Sequence, residues 1–70
     1  MTATVPSEQR MANDIARNLR HLPRERAAAE IAGHIGRFWD PRMRARLFEY
    51  ADAGENGLDP LVVAAVELLR

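Results

Sequence analysis

The residues able to do chemistry in this 70-residue chain are few. There is no cysteine, so no iron–sulfur or zinc-type Cys/His framework can be built from it. His34 follows Glu30 by one helical turn, which places two metal ligands together, but no third ligand is evident from the pattern. His21 falls at a helix break, where an exposed or capping role suits it. No nucleophile, base and orienting group can be assembled, and no glycine-rich phosphate loop is present. The sequence therefore predicts a protein that is not itself an enzyme. The strongest local charge lies elsewhere: Arg37, Arg42, Arg44 and Arg46 cluster around Asp40. A helix–corner–helix with arginines at its second helix resembles a helix-turn-helix in outline. However, the linker has no glycine turn, the formal net charge is zero and the rest of the chain is acidic, so nucleic-acid binding is the lesser alternative.

All ten basic residues are arginine. Arginine makes the planar, bidentate and stacked contacts that favour protein interfaces, although arginine-rich codon usage gives the same bias. A chain this short buries only about 60% of its unfolded surface, so its core is marginal and a partner is a natural source of stability. No stretch has the form of a signal peptide, and no apolar run approaches the roughly 18 residues of a membrane span. A cytoplasmic location is expected.

The elements that position these residues read as helices. Residues 1–6 are expected to be a disordered tail and 7–70 a single helical domain. Ser7 is a candidate N-cap for a helix running to about Arg20, with Met11, Ile15, Leu19 and Leu22 on one face and Ala12 and Ala16 widening it. A break at His21-Leu22-Pro23 opens a second helix from Pro23 to about Phe38. Its apolar stripe is Ala27, Ala28, Ile31, Ile35 and Phe38. Beside it lies a ridge of Ala29, Ala32, Gly33 and Gly36, suited either to a close backbone approach or to a frayed last turn. Asp40-Pro41 caps and opens a third helix that ends near Gly54, a candidate left-handed C-cap. Glu55-Asn56-Gly57 reads as a turn. Asp59-Pro60 then repeats the device for a fourth helix, with Leu58 and Val63 placed to form a hydrophobic staple. The fold class is all-α: a small four-helix bundle or orthogonal helical array with short links.

Two features resist a self-contained bundle. In the third helix Met43, Leu47, Tyr50, Ala51 and Phe48 form an apolar arc, and Arg44 falls inside it. Arg44 needs Asp40, a position flat over Phe48 with its head in water, or a neighbouring subunit. The fourth helix is apolar almost all round, with Glu67 its one polar residue before Arg70. Such a helix calls for cover on every side, from a partner or from a second copy.

The segments Arg10-Met11-Ala12-Asn13-Asp14-Ile15-Ala16, His34-Ile35-Gly36-Arg37-Phe38-Trp39-Asp40-Pro41-Arg42-Met43-Arg44 and Gly57-Leu58-Asp59-Pro60-Leu61-Val62 together resemble the delta subunit of bacterial NAD-dependent formate dehydrogenases. The likeness runs over about residues 10–69, and the block from Phe38 to Arg44 is its most specific part. It implies a small non-catalytic subunit that docks on the molybdenum-containing alpha subunit and supports cofactor insertion or complex stability. It further implies that this chain binds no cofactor, while the complex carries a molybdenum pterin-guanine dinucleotide, iron–sulfur clusters and flavin. Candidate partner-binding residues are Arg37, Trp39, Arg42, Arg44, Phe48 and Val63. Candidate structural caps are Ser7, Asp40, Pro41, Gly54, Asp59 and Pro60. The alternative is a stand-alone homodimeric scaffold.

Overall fold

The computed structural model describes residues 7–54 and 57–70. Four helices follow one another: α1 (Ser7–Asn18), α2 (Arg24–Phe38), α3 (Pro41–Asp52) and α4 (Pro60–Leu69), with no strand among the described residues. The expected tail at residues 1–6, and Glu55 and Asn56 of the expected turn, lie outside the described residues. The all-α expectation holds.

Proline and aspartate set the helix starts. At Asp40 the backbone is extended (φ −78°, ψ 166°), and the carboxylate accepts a hydrogen bond from Met43 N at 2.9 Å while Pro41 takes the first helical position. Asp59 repeats this geometry, accepting from Leu61 N at 2.9 Å ahead of Pro60. Pro23 differs from its expected place. It stands one residue earlier, at the N-cap of α2 (φ −54°, ψ 147°), because its extended ψ keeps it outside the helix. Ser7 is already helical rather than a cap, and the residues before it lie outside the described residues. After α3, Gly54 takes φ +71°, the left-handed geometry that glycine adopts without a Cβ penalty.

The core joins all four helices. Ala12 and Ala16 of α1, Ile31 and Ile35 of α2, Leu47 of α3, and Val62, Ala65 and Val66 of α4 are buried in one cluster with Trp39. The most extensive contact is α2 on α4, and α1 touches each of the others. On α1 the buried line is Ala12–Ala16, not the expected line through Met11, which is 43% exposed. Alanines let α1 approach closely, and Ile15 and Leu19 pack at the edges. Gly36 meets Leu69 of α4 at ordinary contact distance, 3.6 Å from where a Cβ would sit, whereas Gly33 faces open space. Of the two glycines in the small-residue ridge, Gly36 alone meets α4.

Candidate docking surfaces

The corner between α2 and α3 is built from inside. At Trp39 the chain leaves α2 in an extended conformation (φ −91°, ψ 140°). That step exchanges the positions expected of the two aromatics. Phe38, assigned by periodicity to the buried stripe, is 66% exposed, while Trp39 is 4% exposed and belongs to the core. Trp39 is thus corrected from a surface anchor to a core residue.

Arg44 completes the corner. Its Nη1 donates to the Trp39 carbonyl oxygen at 2.6 Å in a partly buried site. This is the answer to the arginine in the apolar arc. Within this chain its partner is not the Asp40 carboxylate but a backbone acceptor that α2 leaves over where it ends. A charged donor on a carbonyl makes a stronger hydrogen bond than a neutral one. Arg46 lies 3.7 Å from the Glu8 carboxylate of α1, whose side chain is 11% exposed. Two of the four clustered arginines therefore contact this chain itself. Arg37 and Arg42 are exposed and make no ion pair among the described residues.

A second group of contacts forms around Arg70. Its guanidinium lies 5.1 Å from the centre of the Phe48 ring and bonds Asp52 Oδ1 at 2.6 Å and the Phe48 carbonyl at 3.3 Å. Phe48 is half-buried beneath it. Val63, 40% exposed, lines a shallow groove with Ala51, Asp52, Val66, Glu67 and Arg70. Phe48 and Val63 thus share one end of the molecule through Arg70, apart from the Arg37–Arg42 corner. Leu58 packs on the core while Val63 is exposed, so the expected staple leaves Val63 largely uncovered.

Three positions were not singled out from the pattern. Asn13 holds the segment before α4: its Oδ1 accepts from Asp59 N at 2.9 Å and its Nδ2 donates to the Gly57 carbonyl at 2.5 Å. Arg20 then bonds Asp59 Oδ2 at 2.7 Å. Burial of the Asp59 carboxyl, 8% exposed, acts to raise its pKa. The Arg20 hydrogen bond and charge and the Leu61 amide outweigh it and hold the group below its ordinary 3.8. A mid-helix asparagine was the available signal, since asparagine is a poor helix former and earns its place by side-chain bonding. The third is Leu68, 61% exposed on α4. The His34 and Phe38 rings lie tilted at 44° with their centres 4.9 Å apart, and among the described residues no three His, Asp or Glu side chains converge as a metal site.

Fold and contacts define a class: a small all-α protein of four helices, with its partly buried side-chain hydrogen bonds at the two Asp-Pro corners. The chain belongs to the NADH-dependent formate dehydrogenase delta subunit family, FdsD, whose family model matches residues 10–66. No curated protein and no solved structure matches it. The matched span contains both Asp-Pro corners, Asn13 and the Trp39–Arg44 contact. No helix among the described residues is long and apolar enough to cross a membrane.

Proposed function

We propose that this chain is a non-catalytic delta subunit that docks on the molybdenum-containing alpha subunit of a cytoplasmic formate dehydrogenase complex and supports cofactor insertion or complex stability. The observation that carries the docking is the exposure of α4. This is the most apolar of the four helices, yet Val63 and Leu68 stand 40% and 61% exposed on it. Large apolar side chains left in water on an apolar helix are the usual mark of a protein partner. Phe38 and Arg42, exposed at the α2–α3 corner, are an aromatic and an arginine, residue types enriched at interfaces. Cofactors are assigned to the partners: this sequence has no cysteine for an iron–sulfur cluster, and its described side chains do not fit a metal. With Arg44 on the Trp39 carbonyl and Arg46 near Glu8, less of the basic cluster remains for nucleic acid.

The test is co-purification of a Val63→Glu, Leu68→Glu double variant with the alpha subunit. Loss of association and a lower molybdenum content of the complex are expected, with the helical circular dichroism of the free chain retained. Association and molybdenum content equal to wild type would remove the docking role of α4.

A further inference from the structure

Glu67 stands where the fold of this chain gives no reason for a carboxylate. It is the one charged residue of α4 and is exposed beside Leu68. It lies in the last turn of the helix, where the carbonyl end of the dipole disfavours an anion. The one cation within a turn of it in sequence is Arg70, whose guanidinium is bonded instead to Asp52 and to the Phe48 carbonyl. Glu67 has no ion pair among the described residues. At about 100° per residue it falls on the arc from Val63 to Leu68, so a partner that covers both of those side chains also covers Glu67. Two grooves meet there. The larger, of about 530 Å³, runs between the start of α2 and the end of α4, over Ala28 and Ala64, and is bordered by Arg24, Glu25, Glu67 and Leu68. The other is the shallow groove beside Val63.

We infer that Glu67 is the polar anchor of this face and receives a cationic side chain, a lysine or an arginine, of the alpha subunit. The inference rests on the docking of α4 proposed above and names the chemistry that the partner brings to it. Val63 and Leu68 cannot be covered without taking the carboxylate between them out of water. A carboxylate desolvated without a partner opposes docking strongly. A surface that fits this face therefore carries the opposite charge among its apolar contacts. The larger groove suits a long cationic side chain, which combines an apolar stem with a charged head. The stem lies along Ala28, Ala64 and Leu68, and the head meets Glu67 from α4 and Glu25 from α2. Glu25, like Glu67, is exposed and in no ion pair among the described residues. These two carboxylates outnumber the single guanidinium of the groove, Arg24, so the groove draws a cation rather than an anion. An ion pair enclosed by apolar contacts sets the register of docking as well as its strength.

Binding kinetics of the full chain on immobilised alpha subunit test this, because they read association and dissociation separately. Glu67→Gln should weaken binding at least about thirtyfold, and Glu67→Arg more, with the loss in the dissociation rate. Glu30→Gln removes the same charge from the outer face of α2 and should stay within about twofold of wild type. The free Glu67→Gln chain should keep its helical circular dichroism and melt no lower than wild type, since the acid it loses is disfavoured at that helix end. A Val63→Ser, Leu68→Ser variant, which changes no charge, reports on the docking of α4 alone. If that variant binds weakly while Glu67→Gln binds as well as wild type or better, the docking stands and the inference falls: the carboxylate then serves only to keep an apolar helix in water. A loss confined to the association rate and matched by Glu30→Gln would also overturn it, as attraction by overall charge without a contact. Wild-type binding by the double serine variant would remove the docking of α4 and this inference with it.

Discussion

At the scale of residues, two polar side chains do what a larger protein would leave to its core. Arg44 ties the first turn of α3 to the carbonyl that ends α2. Replacing it with alanine leaves that acceptor without its 2.6 Å donor. A loss of about 1–2 kcal/mol is expected for a partly buried, charge-assisted bond. A lower urea midpoint at unchanged slope is the measurement, and an unaltered midpoint would show that water replaces the guanidinium. Asn13 is the other. Asn13→Ala removes one acceptor and one donor at once, both directed to the segment before α4. The expected cost is again about 1–2 kcal/mol. Asn13→Asp keeps the acceptor for Asp59 N but cannot donate to Gly57, and it brings a second carboxylate towards Asp59. Its deficit should therefore shrink as the pH is lowered towards the range where carboxylates protonate, whereas that of Asn13→Ala should not follow the same course. Parallel pH profiles for the two variants would contradict this account.

At the scale of elements, the helix starts and stops are set by a few capping residues. Asp59 caps α4 and also anchors it to α1 through Arg20. Its folded pKa lies below the unfolded value of 3.8, so the stability it contributes is present above that value. The contribution is lost as the pH falls through the folded pKa. Asp59→Asn should thus flatten the acid limb of a stability-against-pH curve below the ordinary carboxylate range, while lowering stability at neutral pH. An acid limb as steep as wild type would assign it to other carboxylates. Gly54, at φ +71°, is the matching stop for α3. Nothing crowds the place of its Cβ, so Gly54→Ala tests the backbone term alone, and a melting-temperature decrease equivalent to about 1 kcal/mol is expected. These elements were legible because Asp-Pro and a terminal glycine act locally, through φ and through orphan backbone groups. The site was less so. Periodicity placed Phe38 inside and left Trp39 outside, because a helical wheel does not register that the chain turns extended at Trp39. Arg44 was legible as an anomaly but not in its partner, since a backbone carbonyl carries no sequence signature.

At the scale of the whole molecule, the core is thin. Among the described residues, five of the eleven buried apolar residues are alanine, and the largest fully buried side chains are Ile31, Ile35, Leu47 and Val62. Trp39 is therefore an outsized share of what holds the helices together. Trp39→Ala should cost about 3–5 kcal/mol, comparable to the entire stability of a domain this size. The isolated variant is expected to lose its cooperative thermal transition and its helical signal. Substitutions of Val63 and Leu68 should do the opposite, leaving the free chain folded because those side chains are already in water. The contrast separates two routes to a lost complex. A core variant fails because there is no folded surface to bind. A surface variant fails with its fold intact. Binding to a partner stabilises only the folded form, so excess partner should raise the apparent melting temperature of wild type and of mild core variants such as Ile31→Val. It should not do so for the Val63→Glu, Leu68→Glu variant. Should the partner stabilise that variant as strongly as wild type, the exposed face of α4 is not the surface through which this small core is completed.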